Sequence, residues 1–245
     1  MKNKVNVENM PELPYAMEEA LNRLRVNISF LGTDVKKIMV ISTLPDEGKS
    51  FVAIQLWHQM AESGTSTIMV DADMRKSVMV DKYEVHREDG KKIQGLSHYL
   101  ANDYPLEDAI LHTQWEGGDL LPNTDNVVNP SMLLEGNRFA SMLDQLAENY
   151  RYVFVDSPPL NLVSDGELIG SLCDGAILVV RGGSTSKAMV RNSINQLERA
   201  GCPLLGIVLN RVEGAKSGYY YKKYGGHYYG SRYGGKKYGD TYYYN

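Results

Sequence analysis

Apolar and polar positions along the chain fall into two patterns. Five short runs are apolar almost throughout: Lys37-Ile38-Met39-Val40-Ile41-Ser42, Thr67-Ile68-Met69-Val70, Tyr152-Val153-Phe154-Val155, Ala176-Ile177-Leu178-Val179-Val180 and Leu204 to Leu209. Such runs, bounded by polar or glycine residues, predict buried strands. Between them apolar residues recur at helical spacing. From Tyr15 to Leu31 the residues Met17, Leu21, Leu24, Ile28 and Leu31 share one face, and Glu18, Glu19, Arg23 and Arg25 fall away from it. Further helices are expected from Gly48 to Gly64, from Asn129-Pro130 to Asn149 and from Ser186 to Ala200, with shorter ones at Leu96 to Leu100 and Pro105 to Leu111. Glycine after a helix and Asn-Pro before one are stop and start signals. The charged stretch Lys82 to Gly95 reads as a surface loop, and the polar residues 1–14 as a flexible N-terminus. Apolar strands alternating with helices indicate an α/β fold with a mainly parallel sheet covered on both faces. Ligands bind beyond the C-terminal ends of such strands.

The periodicity stops at Gly214, so one domain is expected over 15–213 and a disordered tail over 214–245. The tail is tyrosine, glycine and lysine with little else. The chain holds 17 tyrosines against 4 phenylalanines, and eleven of the tyrosines lie from Tyr219 onward. They are Tyr219, Tyr220, Tyr221, Tyr224, Tyr228, Tyr229, Tyr233, Tyr238, Tyr242, Tyr243 and Tyr244. The tail is also basic, with Lys216, Lys222, Lys223, Arg232, Lys236 and Lys237 against Asp240. The whole chain carries a net charge of −4, which gives no general reason to expect a nucleic-acid partner. Cys173 and Cys202 are not spaced as a metal pair and read as reduced core thiols. No apolar run is long enough to span a bilayer, and the N-terminus lacks the apolar stretch of a signal peptide. A cytoplasmic chain, peripheral at the membrane only through a partner, is the expectation.

Candidate chemistry sits at the strand ends. The first strand runs through Asp46-Glu47-Gly48-Lys49-Ser50-Phe51 into a helix, which matches most of a phosphate-binding P-loop. Backbone N–H groups at a helix N-terminus face phosphates, and the helix dipole favours negative charge there. Lys49 would reach the β- and γ-phosphates, Ser50 would ligate Mg²⁺, and Gly48 lets the backbone approach the nucleotide. Thr43 stands where the pattern begins with glycine or alanine. Asp71 and Asp73 follow the second strand and Asp156 the third. Three carboxylates at strand ends on one side of a sheet repel one another and cost stability unless a cation sits among them. Together these residues predict binding of ATP with Mg²⁺.

Ile68-Met69-Val70-Asp71-Ala72-Asp73-Met74-Arg75 resembles the Walker A′ motif of bacterial tyrosine kinases. Val153-Phe154-Val155-Asp156-Ser157-Pro158-Pro159 resembles their Walker B segment, and Pro45 to Ser50 their Walker A loop, with Asp46 in place of a glycine. The C-terminal tyrosine cluster is a further hallmark of that family. The resemblance runs from about Tyr15 to the end and implies a P-loop kinase that transfers phosphate from ATP to its own tail tyrosines. It implies Lys49, Asp71 and Asp73 as catalytic, with Asp71 as base. Ser50, Asp71, Asp73 and Asp156 are implied around Mg²⁺, and Asn210 and Arg211 near the adenine. Asp165 resembles a position near the γ-phosphate. A homo-oligomeric ring is implied through Glu19, Arg23 and Arg25, although Asn22 replaces the middle arginine of that motif. The implied setting is capsule or exopolysaccharide synthesis, with an activating transmembrane co-polymerase-type adaptor and a phosphotyrosine phosphatase as partners. Two other readings compete. A MinD/ParA-like positioning ATPase carries a second lysine early in its loop, where this chain has Leu44-Pro45-Asp46. A non-catalytic nucleotide-binding module with a sticky tail would use its tyrosines for stacking alone.

Overall fold

The computed structural model describes residues 3–102, 104–125 and 127–212. The tail, with its eleven tyrosines, therefore lies outside the described residues. The predicted apolar runs are strands. They are β2 (Lys37–Ser42), β3 (Thr67–Asp71), β7 (Tyr152–Asp156), β8 (Gly175–Arg181) and β9 (Leu204–Asn210). Two short strands were not expected: β5 (Leu111–His112) and β6 (Gly118–Leu121). Among the described residues these seven form one sheet in the order β5-β6-β3-β7-β2-β8-β9, parallel except for β5 against β6.

Successive strand residues point to opposite faces, and they divide between two cores. Met39, Ile41, Val153 and Val155 pack on one face with Leu143 and Leu146 of α7 (Asn137–Asn149), Ile169 of α8 (Asp165–Gly170) and Leu197 of α9 (Lys187–Arg199). Ile38, Val40, Phe154 and Ile177 pack on the other with Ile54 and Trp57 of α2 (Lys49–Glu62) and Ile28 of α1 (Tyr15–Ser29). Both faces are thus covered, as the continuous apolar runs require.

Four expectations are corrected. Residues 1–14 do not all behave as a flexible end: β1 (Val5–Val7) buries both valines and pairs antiparallel with β4 (Val85–Arg87). The same pairing places a strand inside the stretch read as a charged surface loop. The helix expected from Pro130 to Asn149 is two, α6 (Pro130–Leu134) and α7, because Gly136 takes an extended conformation (φ −70°, ψ 144°) between them. Helix α8 was not anticipated. The short helices α3 (Met79–Lys82), α4 (Leu96–Ala101) and α5 (Leu106–Ala109) complete the described residues.

The chain leaves β2 towards β3 on one side and later returns to β8 on the other. The C-terminal end of β2 is therefore the point where strand order reverses, and there a crevice opens in sheets of this kind.

Candidate active site

The loop from Thr43 to Gly48 joins β2 to α2, and its departures from the P-loop pattern have local causes. Thr43 is buried, with its hydroxyl 3.1 Å from that of Ser193 on α9. A glycine there would lose this contact. Asp46 has φ 59°, the left-handed region that glycine prefers and aspartate tolerates, and its side chain is exposed. Gly48 caps α2 with φ 93°. A Cβ at Gly48 would stand 2.2 Å from Asn210 Nδ2, which donates to the Glu47 carbonyl oxygen at 2.8 Å. Glycine is needed here both for its conformation and for the approach of the last strand.

Glu47 belongs to the expected phosphate loop. Its side chain is only 2% exposed and turns inward. It accepts from the Leu44 N–H at 2.7 Å, from the Arg181 N–H at 3.1 Å and from the Thr185 hydroxyl. This carboxylate fastens the loop to the end of β8 and to the approach to α9, which leaves only its backbone for a phosphate.

The carboxylates meet because β3 and β7 are neighbours in register, with Asp71 opposite Asp156. Each is 2% exposed. The cation among them is Lys49. Its Nζ lies 3.1 Å from Asp73 Oδ2, 3.6 Å from Asp156 Oδ1 and 3.1 Å from Ser50 Oγ. Burial alone would lower the Lys49 pKa, but Asp156, Asp73 and Asp71 together outweigh it and hold the ammonium charged. Burial first, and the nearby Asp156 second, push Asp71 up to about 7. Burial likewise raises Asp156, against the pull of Lys49. Asp71 is fixed by two donors, the Asp73 N–H at 3.2 Å and the Ser77 hydroxyl at 2.6 Å. Ser77 Oγ is also 2.6 Å from the Asn123 carbonyl oxygen. Sequence reasoning did not single out Ser77, and no motif marks it.

A cavity of about 600 Å³ opens over the loop. Asp46, Gly48, Lys49, Ser50, Phe51, Asp73, Asn210 and Arg211 line it, so every expected cofactor residue except Glu47 borders one space. Asp71 and Asp156, both buried, are not among the lining residues, although both neighbour lining residues Lys49 and Asp73 electrostatically. Arg75 lines the cavity too, while Asp165 does not. Asp165 is buried, takes Arg75 Nε at 2.6 Å and Ser131 Oγ at 2.6 Å, and so anchors α6 and α8 to the Arg75 side chain. Tyr83 is buried with its hydroxyl unpartnered, and burial followed by Asp156 drives its pKa upward. On α1, Glu19 is half-buried and Arg23 exposed, while Arg25 is turned onto Asn22 Oδ1 at 2.8 Å.

The residues present fit a magnesium nucleotide. Asp156 Oδ1 is a buried acceptor whose Lys49 Nζ neighbour stands 3.6 Å away, beyond a full hydrogen bond, and Lys49 also contacts the Ser50 hydroxyl. Among the described residues no three His, Cys, Asp or Glu side chains form a ready metal cage. That suits Mg²⁺, which keeps waters and phosphate oxygens and takes only one or two carboxylates. In the nucleotide-free protein Lys49 supplies the charge that balances the three carboxylates.

A family model described as an AAA domain matches residues 35–197. Tyrosine-protein kinase CpsD of Streptococcus agalactiae is 34% identical over 209 residues, which cover 85% of this chain and 90% of that one. Among solved structures, the chimerical protein CapA2B2 superposes with a TM-score of 0.73 at 31% identity, covering 84% of this chain and 92% of the other. The kinase domain of the Escherichia coli tyrosine kinase ETK gives a TM-score of 0.73 at 29% identity, covering 84% and 82%.

Proposed function

Because this chain belongs to the bacterial tyrosine-protein kinases and is itself a protein-tyrosine kinase, we propose that its principal acceptors are the tyrosines of its own tail, phosphorylated in trans from ATP. The supporting observation is the convergence of Lys49, Ser50, Asp71, Asp73 and Asp156 at one switch point, in a chain with eleven tyrosines from Tyr219 onward. The loop N–H groups at the start of α2 cradle the phosphates, Lys49 neutralises charge on the transferred group, and Asn210 and Arg211 border the base. Ser50 and Asp156, with Asp73, would hold Mg²⁺, which screens the phosphate charge when bound. The acceptor phenol oxygen forms a bond to the γ-phosphorus, the bond to the bridging oxygen of ADP breaks, and the phenol proton passes to Asp71. A phenol ionises near pH 10, so a carboxylate raised to about 7 is better matched to that proton than an ordinary one.

The tail serves as substrate by tethering rather than by a tight pocket. We assign the kinase to regulation of capsular or exopolysaccharide synthesis, held at the membrane by a transmembrane adaptor and reset by a phosphotyrosine phosphatase. No helix among the described residues is long and apolar enough to cross a membrane, so an adaptor supplies that contact. Glu19, Arg23 and Arg25 contribute to a homo-oligomer interface in this reading.

The test is incubation of the full chain with ATP, Mg²⁺ and the cytoplasmic segment of the adaptor, followed by phosphotyrosine mapping. Lys49→Met and Asp71→Asn are expected to lose at least about 100-fold in rate, in line with removal of a transition-state charge partner or a base. Truncation after Val212 is expected to abolish labelling while ATP still binds. Label retained in the truncated chain would place the acceptors within the domain and overturn the tail assignment.

A further inference from the structure

A second cavity, also of about 600 Å³, shares the residue Val78 with the lining of the nucleotide cavity. Its walls include Val80, Val85 and Ile93. Two polar atoms in its lining residues have no partner: Asn123 Oδ1, on a side chain that is 1% exposed, and Thr124 Oγ1. The Asn123 amide nitrogen is already used, donating to the Asp125 carbonyl at 2.9 Å. An unpaired buried carbonyl oxygen costs free energy unless a donor reaches it. The cavity thus asks for a flat apolar body that ends in a hydroxyl donor, and a tyrosine side chain has both parts. Its rim charge is biased as well. Arg87, Lys91 and Lys92 line it too, but each pairs with a carboxylate just outside the lining, Asp89 for the first two and Asp125 for the third, while among the described residues Asp81 and Glu84 on the same rim have no ion pair. A basic segment is the complement.

We propose that this cavity is a subsite for a second, non-reacting tyrosine of the tail, immediately next in sequence to the one being phosphorylated. The inference rests on the tail being the acceptor. In an extended chain, consecutive side chains point to opposite sides and their Cα atoms are about 3.8 Å apart. Neighbouring tyrosines therefore straddle the shared wall at Val78, one ring entering each cavity. The guest hydroxyl donates to Asn123 Oδ1. Asn123 also connects to the candidate base, through its carbonyl oxygen, the Ser77 hydroxyl and Asp71. The tail is composed to suit: Tyr219-Tyr220-Tyr221, Tyr228-Tyr229 and Tyr242-Tyr243-Tyr244 are contiguous, and lysines follow the first group. A phosphorylated guest is rejected, because phosphate oxygens would oppose the Asn123 oxygen and the Asp81 and Glu84 carboxylates. The subsite thus favours the first phosphorylation within each cluster.

The experiment is time-resolved mapping of phosphate along the tail of the full chain. Clustered tyrosines are compared with the isolated Tyr224, Tyr233 and Tyr238 of the same molecule. The expected initial rate is about fivefold higher in the clusters, the scale of one buried hydrogen bond and its apolar contacts. Tyr229→Phe, which leaves the domain untouched, is expected to slow Tyr228 by a similar factor. Asn123→Leu is expected to bring the clustered-to-isolated ratio to about one. A wild-type ratio near one, or a Tyr228 rate indifferent to Tyr229→Phe, overturns the subsite. A wild-type tail with no phosphate at any tyrosine overturns the tail assignment itself.

Discussion

At the scale of single residues, the site runs on charges that oppose one another. Asp71 and Asp156 are buried side by side, and folding forces Asp71 from its ordinary value of 3.8 up to about 7. A carboxylate whose folded pKa is raised binds its proton more tightly when folded, so its contribution to stability falls as pH rises between those two values. The nucleotide-free protein should therefore lose thermal stability from pH 5 to pH 7.5, with Asp71→Asn flattening that slope. His58 titrates in the same window in the opposite sense, since burial lowers its pKa, so the difference between wild type and variant is the quantity to read. At pH 7.5 Asp71→Asn should be the more stable protein by about 1–3 kcal/mol, while losing kinase activity. Equal melting curves for the two across the whole range would show that Asp71 is not strained. Gly48 gives a second measurable conflict. Gly48→Ala meets both a left-handed φ of 93° and Asn210 Nδ2. The conformation alone costs about 1–2 kcal/mol. Asn210→Ala removes the collision but not the strain, so the double variant should be about 1 kcal/mol more stable than the two single losses predict by addition. Denaturant unfolding of the three variants reads this coupling directly.

At the scale of elements, long periodic segments were legible and short ones were not. The five apolar runs gave β2, β3, β7, β8 and β9 within about one residue, because a strand buried on both faces has no polar positions to blur it. Strands β1, β4, β5 and β6 have two to four residues each, too few for a period to emerge, and the β1–β4 and β3–β6 pairings join segments far apart in sequence. The catalytic candidates were readable because strand-end aspartates and the Gly-Lys-Ser turn are local signals. The inward turn of the Glu47 side chain was not readable, for the opposite reason. Its partners Arg181 and Thr185 lie more than 130 positions away, and nothing local shows that its side chain turns inward. Ser77 and Asn123 were missed because no motif marks either residue, and the contact that joins them spans 46 positions. Two tests belong here. Glu47→Ala frees the loop from β8 while leaving the Arg181 N–H without its acceptor. It should cost about 1–3 kcal/mol and raise the KM for ATP more than it lowers kcat, since Lys49 and Asp71 remain; a pure kcat effect would contradict a positioning role. Deleting residues 1–8 removes β1 with the buried Val5 and Val7. At about 1.5–3 kcal/mol for each buried valine, the loss should be plain in thermal unfolding, whereas a flexible end would leave the melting point unchanged.

At the scale of the whole molecule, charge is divided between domain and tail. Residues 214–245 carry six lysines and arginines against Asp240, a net of +5, which leaves −9 on residues 1–213 of a chain whose total is −4. Under the proposed trans reaction, attraction between these opposite net charges would favour the encounter of one copy's tail with another copy's domain, and salt would screen it over about 8–10 Å at ordinary ionic strength. Each phosphotyrosine adds roughly −1.5 to −2 charges. About three phosphates would therefore cancel the tail's charge and any further ones reverse it, although eleven tyrosines are present. Trans-phosphorylation should slow itself after about three phosphates per chain, and assembly should weaken at the same point. Mass determination in solution alongside intact-mass spectrometry measures both quantities on one sample. Oligomer mass is expected to hold through the first one or two phosphates and to fall steeply near the third, earlier at higher salt. An oligomer that survives full phosphorylation would mean that contacts within the domain, such as the α1 face with Glu19 and Arg23, hold it together without the tail.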